Sequence, residues 1–217
     1  MAKQRFGLEP GSLAYYQQIG ERRRIIDTGV IKKDINRFAQ GVTLELRGIT
    51  NRFINGQING QEWYDESARV MKLSYRAAVD IARGGNGEMD DNDNEEWLAL
   101  VLLLFLLFNR TADALEEGTL VLDGRLMNIA GLRGGGVRSI FENFRNTVAR
   151  RAGYTEARRV LGVAEHCDRS ADRPGCVELA ARGWVPIWTM VPLGGATCRD
   201  NCKCTIQYRG MSDFTGG

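Results

Sequence analysis

Residues 31–55 read IKKDINRFAQGVTLELRGITNRFIN, a stretch in which apolar side chains recur at steps of three and four. The recurring residues are Ile35, Phe38, Val42, Leu46, Ile49 and Phe53. Because an α-helix turns once in about 3.6 residues, these side chains share one face. The stretch therefore predicts a long amphipathic helix, and it favours a mainly α fold.

Further helices are predicted on both sides of this stretch. Residues 11–27 are expected to form a shorter helix before it. After turn-forming residues at 56–60, another helix is expected from 61 to about 82. Three glycines at 134–136 are expected to act as a hinge that opens a last long helix over residues 137–161, whose apolar face is accompanied by arginines.

The most apolar segment is WLALVLLLFLLF, from Trp97 to Phe108. It is shorter than the roughly 20 residues that a membrane-spanning helix needs. The acidic stretch Asp90–Glu96 precedes it and suits the positively polarised start of a helix. We therefore predict a helix buried on all sides and no stable membrane span. Insertion into a membrane during a later event is the alternative, and residues 110–135 are expected to form a looser connection.

The chain is predicted to have two parts. Residues 1–161 form a helical body, in which 1–60 are N-terminal helices and 61–161 are a helical core. Regular periodicity stops at residue 162, so residues 162–217 are expected to form a small irregular cysteine-rich unit that contains a short strand or hairpin. The segment Lys203–Tyr208 is the expected strand.

Charge is nearly balanced overall but alternates along the chain. The 29 basic and 27 acidic residues give a net charge of +2. Basic residues dominate in 1–60 and 133–159, and acidic residues dominate in 61–100. This alternation suits packing against other copies of the chain or against partner proteins, while the arginine-rich helix 137–161 offers a contact for DNA. The N-terminal sequence has no features of a secretory signal.

The five cysteines and the single histidine lie within 39 residues. They are His166, Cys167, Cys176, Cys198, Cys202 and Cys204. Zinc binds four such ligands in a tetrahedron, and an irregular unit of this size has little core of its own. We predict a structural zinc site of Cys167, Cys176, Cys198 and Cys202. Cys204 is the alternative ligand to Cys202, because residues two apart on a strand share a face.

Two other states of the cluster remain open from the sequence. Disulfides Cys167–Cys176 and Cys198–Cys202 would leave Cys204 free, or all five thiols could stay reduced without a metal. His166 is a weaker candidate ligand, because it should point away from a site that its neighbour Cys167 binds. No catalytic residue or other cofactor is predicted, since no GxSxG, HExxH or nucleotide-binding motif occurs, and we expect a protein that is not an enzyme.

The C-terminal unit contains a recognisable series of motifs. It has His166-Cys167, CVELAARGW from Cys176 to Trp184, PLGGATC from Pro192 to Cys198, and NCKC from Asn201 to Cys204, with Tyr208 following. In this series the chain resembles the minor head, or head-morphogenesis, proteins of tailed phages, typified by the F protein of phage Mu. A helix that opens with GQEW at Gly60–Trp63 is similar to these proteins as well.

This resemblance implies a structural component of a phage virion. It implies a location in the head or the head–tail region, association with the portal or the major capsid protein, and a role in head assembly and genome packaging or delivery after synthesis in the bacterial cytoplasm. A head–tail connector or capsid-decorating subunit is one alternative. A zinc-knuckle DNA-binding protein that uses residues 137–161 is another.

Overall fold

A computed structural model describes residues 4–9, 11–19, 21–85, 89–162, 173–196, 198 and 202–211. The predicted mainly α fold is confirmed. The α-helices are α1 (Thr28–Ile54), α2 (Gly60–Ala82), α3 (Asp91–Glu116), α4 (Gly124–Arg151) and the short α5 (Cys176–Ala181), followed by a 3-10 turn at Ile187–Thr189. The strands are β1 (Gln4–Leu8), β2 (Tyr15–Ile19), β3 (Arg22–Ile26), β4 (Tyr154–Val160), β5 (Val185–Pro186) and β6 (Thr205–Met211).

The main core lies between α1, α2 and α4. The predicted stripe of α1 is confirmed in its centre, where Ile35, Val42, Leu46 and Ile49 are buried. Asp27 caps α1 through a hydrogen bond from the Gly29 amide, and Asn59 and Glu62 form a reciprocal capping box on α2. Large fully buried side chains fill the space between these helices, among them Met71, Tyr75, Leu126, Phe141 and Phe144.

The glycine run at 134–136 is a packing surface, so the predicted hinge is wrong. These residues lie inside α4, which starts ten residues earlier at Gly124. A Cβ atom on Gly134 would approach the backbone of Thr43 in α1 to 2.5 Å, and one on Gly136 would approach the Tyr75 hydroxyl to 2.8 Å. Glycine at these positions therefore lets the helices approach closely. This contact offsets the free-energy cost of glycine inside a helix.

The N-terminal residues form a sheet, so the helix predicted over 11–27 is wrong. Strands β1, β2 and β3 pair antiparallel in that order. Tyr15, at the start of β2, is fully buried and its ring stacks on Phe6 at 5.3 Å between centroids. Aromatic and β-branched residues favour strands, and packing of this sheet on the helical core overrode the weak helical pattern.

Helix α3 is longer and more exposed than the sequence predicts. It continues to Glu116 and α4 starts at Gly124, so the expected looser connection over 110–135 is wrong. Val101 and Phe108 are buried, but Leu98, Leu102 and Leu106 are about half exposed. The expectation of burial on all sides is therefore wrong, because α3 packs on its neighbours through one face only. The side chains of Leu103, Leu104 and Leu107 lie outside the described residues.

The helix predicted over 137–161 ends ten residues early. Gly153 adopts a left-handed conformation with φ of 89°, which terminates α4 at Arg151. The following strand β4 lies between β5 and β6, and all neighbours are antiparallel. The expected C-terminal strand is confirmed in type and is displaced to Thr205–Met211. The division at 161/162 stays a prediction, but β4 on its N-terminal side shares a sheet with β5 and β6.

Candidate metal centre

Three buried cysteines meet beside the C-terminal sheet. Cys176 is the first residue of α5, and Cys202 and Cys204 directly precede β6. The sulfur atoms of these three residues all lie within 4.8 Å of one another, so they could hold a metal ion. Lys203 between them is exposed, as expected for an extended segment in which alternate side chains share a face.

The sulfur spacing agrees in part with metal ligation. Zn–S bonds of about 2.3 Å in a tetrahedron place neighbouring sulfurs about 3.8 Å apart. The Sγ atoms of Cys176 and Cys202 are 3.9 Å apart, which fits that edge. Cys198 contributes a fourth sulfur at 3.1 Å from Cys176 Sγ, closer than a tetrahedral edge. All four of these cysteines are free thiols, so the alternative Cys198–Cys202 disulfide is not formed in this structure.

A buried arginine completes the environment of the sulfurs. Arg159 Nη1 lies 3.5 Å from Cys202 Sγ and 3.8 Å from Cys176 Sγ. Its Nη2 donates to the carbonyl oxygens of Val191 and Pro192 at 2.6 and 3.3 Å. A guanidinium in this position offsets the negative charge that thiolate ligands carry, and it orients them through N–H···S hydrogen bonds.

Sequence reasoning missed Arg159 because it placed this residue on a helix. On β4, Ala157 and Arg159 point to the buried side and Arg158 points to solvent. The period-two pattern in YTEARRV (154–160), directly after the Ala152-Gly153 helix end, was the signal that could have located the strand. The adjacent pair of arginines concealed it, because only one of the two is exposed.

Without a metal, the cysteine thiols of the cluster differ in their pKa values. The pKa of Cys204 is lowered to about 5, first by the hydrogen bond from the Cys202 thiol, with help from the Gly162 amide and the charge of Arg159. The same hydrogen bond raises the pKa of Cys202, and burial raises the pKa of Cys176. Without a metal, Cys204 is therefore the thiolate beside the neutral thiols of Cys176 and Cys202, and metal binding would have to release the protons of these two.

Helix α4 anchors the segment that carries the last two cysteines. Arg138 donates from Nη1 to the carbonyl of Cys202 at 3.3 Å, and from Nη2 to those of Lys203 and Cys204 at 2.6 and 2.9 Å. Asn143 exchanges two hydrogen bonds with the backbone of Leu193, at 2.7 and 2.9 Å. The cysteine-rich unit is thus fixed to the same helix that packs in the main core.

The predicted ligands fall into two groups. Cys176, Cys202 and the alternative ligand Cys204 come together, and Cys198 lies next to Cys176. Cys167 and His166 lie outside the described residues, so their predicted roles stay predictions. The choice between Cys202 and Cys204 proved unnecessary, because both sulfurs are in the cluster.

Several arginines of the predicted DNA-contacting helix have partners within the molecule. Arg138 and Arg159 serve the cysteine-rich unit, as described above. Arg151 pairs with the buried carboxylate of Asp93, which also binds Arg83 at 2.6 Å. Arg158 lies over the Trp184 ring at 4.7 Å. A DNA contact through 137–161 stays a prediction, with fewer unpaired guanidinium groups to supply it.

Comparison with protein-family models, with curated proteins and with solved structures found no match to this chain. Within the described ranges, no helix combines the length and the apolar character that crossing a membrane requires.

Proposed function

We propose that the cysteine cluster is a structural zinc site with Cys176, Cys198, Cys202 and Cys204 as ligands. The observation that carries this proposal is the convergence of three buried sulfurs within 4.8 Å, beside a fourth. Four thiolates around zinc leave no open coordination position, which is the arrangement of a structural site rather than a catalytic one. The bound ion supplies cross-linking and no chemistry of its own.

The role of such a site would be to order the C-terminal unit. Its ligands come from the start of α5, from the loop at residue 198 and from the segment before β6. Arg159 and Arg138 connect those segments to β4 and α4. A metal there would tie three separate chain segments to the helical body, where the local apolar core is small.

The zinc proposal can be tested by metal content and by paired serine variants. Elemental analysis of protein purified without chelator should give about one zinc per chain, with five titratable thiols after denaturation. Cys198→Ser should lose the metal, whereas Cys167→Ser should keep it. Retention in Cys198→Ser with loss in Cys167→Ser would replace the fourth ligand, and absence of metal from the wild type would refute the site.

We propose further that the protein is a minor head component of a tailed-phage virion, bound to the portal or the major capsid protein and without catalytic turnover. The resemblance of the cysteine motifs supports this role. A C-terminal unit that is hydrogen-bonded to α4 and the exposed leucines of α3 also suit a protein that packs into an assembly. A head–tail connector or capsid-decorating subunit would differ in copy number and position.

Mass spectrometry of purified virions with copy-number quantitation tests this role. We expect the chain in mature particles at a fixed number per portal or per capsid. Presence in infected-cell lysate but absence from particles would refute the structural role. Salt-sensitive DNA binding by the isolated protein, reduced in Arg150→Gln, would favour the zinc-knuckle DNA-binding alternative instead.

A further inference from the structure

A cavity of about 440 Å³ lies between the start of α1, the middle of α4 and the C-terminal sheet. Its lining includes Thr28, Lys32, Arg145, Tyr154, Trp184 and Tyr208. It is separate from the cysteine cluster, because none of the clustered cysteines lines it. The lining is cationic and aromatic, and the first turn of α1 adds the positive end of a helix dipole.

The unusual group in this cavity is the guanidinium of Arg145. Arg145 is only 4% exposed, and its Nε atom is buried without a hydrogen-bond partner. Its guanidinium lies 5.6 Å from the Tyr15 ring centre and 5.8 Å from that of Phe141. Among the described residues, no carboxylate forms an ion pair with it. A buried arginine of this kind carries a large desolvation cost unless an anion compensates it.

The surrounding charges do not supply that anion. Lys32 Nζ is 3.4 Å from Glu142 Oε1, so the one buried carboxylate nearby already has a cationic partner. Asp27 is exposed and caps α1 through the Gly29 amide. Two cations therefore face one buried carboxylate, which leaves a surplus positive charge beside the cavity.

The neighbouring phenols are not anionic either. Burial raises the pKa of Tyr15 to about 12, and burial raises the pKa of Tyr208 as well. Both therefore stay protonated at neutral pH. The Tyr208 side chain lines the cavity, but its hydroxyl is buried beside the side chain of Asn146, so we assign it no contact with a ligand.

We propose that this cavity binds a phosphate-type oxyanion, held by Arg145 and Lys32. The guanidinium offers planar paired donors, which match the oxygens of phosphate, and the lysine adds a point charge. This site is independent of the zinc proposal and of the virion role, and either could fail without affecting it.

Two sources would present the same chemistry. One is free inorganic phosphate, and the other is a phosphodiester of a nucleic-acid backbone. Phosphate binding is measured by calorimetric titration of the full-length reduced protein with inorganic phosphate. The ionic strength is held constant, with chloride as the competing anion. A second titration uses a short single-stranded DNA, with and without saturating phosphate. Phosphate binding alone identifies the free ion as the source, and mutually exclusive binding of both identifies the phosphodiester.

Matched variants separate this site from general surface charge. Arg145→Gln should weaken phosphate binding by about tenfold or more, whereas Arg150→Gln, which removes an exposed arginine from the same helix, should leave it within about twofold. Lys32→Met should weaken binding, and Lys33→Met, which removes the exposed neighbouring lysine, should not.

The outcomes decide the proposal in either direction. Each variant is first checked for wild-type helical content, and Lys32→Met serves as the decisive variant if Arg145→Gln does not fold. Absence of saturable phosphate binding by the wild type up to about 10 mM would overturn the proposal. Equal losses in Arg145→Gln and Arg150→Gln, or undiminished binding in Lys32→Met, would also overturn it.

Discussion

The helical body and the cysteine-rich unit are stabilised by different interactions. In the body, aliphatic and aromatic side chains from α1, α2 and α4 form one continuous buried cluster. In the cysteine-rich unit the buried cluster is small, and three of its members are cysteines next to the buried guanidinium of Arg159. The body can therefore be ordered by burial of apolar surface, whereas the cysteine-rich unit has a smaller apolar cluster and relies more on polar contacts.

Helix α4 joins these two regions. Phe141 and Phe144 pack in the main core, and Arg138 and Asn143 bind the backbone of the cysteine-rich unit. Substitutions that destabilise the main core should therefore also destabilise the C-terminal sheet, because both contact α4. Substitutions in the cysteine cluster should destabilise only the cysteine-rich unit, because the main core does not contain those residues.

The largest expected effect is in the main core. Phe141 is fully buried, and Phe141→Ala should lower the free energy of unfolding by about 3–5 kcal/mol, since it removes apolar contacts and leaves a cavity. Urea denaturation followed by far-ultraviolet circular dichroism measures this change. Leu44→Ala on the exposed side of α1 is the control and should have little effect. Similar losses in both variants would contradict the assignment of the core.

The second prediction concerns the cysteine-rich unit. Arg159→Met should destabilise it by about 2–4 kcal/mol, because two thiols and two carbonyls lose a charged donor in a buried place. Zinc affinity, measured by chelator competition, should fall about 10–100-fold. Arg158→Met is the control, since this neighbour on β4 points to solvent. Equal effects of the two substitutions would show that Arg159 is not part of the centre.

The fold was partly predictable, for physical reasons that differ between segments. The α1 stripe was correct because a long helix with one buried face leaves a strong periodic signal. The glycine run in α4 misled the prediction, because the same residues that usually break a helix here allow Thr43 and Tyr75 to approach closely. The strands at 15–26 and 154–160 were missed, because their pairing depends on partners distant in sequence.

The convergence of Cys176, Cys202 and Cys204 was predictable from the sequence, whereas the residues that surround them were not. Cysteine clustering and the 202/204 alternation identified residues that the structure brings together. Arg159 and Arg138 could not be found in the same way, because their roles require the β4–β6 pairing and the contact of α4 with residues 202–204. Such contacts leave no local pattern in a single sequence.

A smaller effect is expected at the junction of the two regions. Arg138→Gln should destabilise the cysteine-rich unit by about 1–2 kcal/mol, because Arg138 is only partly buried and some of its hydrogen bonds can be replaced by water. Hydrogen exchange should show faster exchange in β6 and unchanged exchange in α1. Arg125→Gln, at an exposed pair with Asp123 on the same helix, is the control. Loss of protection across the whole body would contradict a local role for Arg138.

The smallest effect is expected on the outer face of α3, where two adjacent residues make a sharp comparison. Val101 is 7% exposed and Leu102 is 58% exposed, so Val101→Ala should lower the free energy of unfolding by about 1–2 kcal/mol and Leu102→Ala by less than about 0.5 kcal/mol. Thermal denaturation of both variants at two protein concentrations measures the difference. A monomer should show this inequality at either concentration. A different result is expected if another copy of the chain covers the leucines at 98, 102 and 106. Leu102→Ala would then lower stability strongly, and only at the higher protein concentration. The reason is that association stabilises the folded state by mass action, and the substitution would weaken that association. That result would contradict the exposed face of α3 and support the predicted self-association.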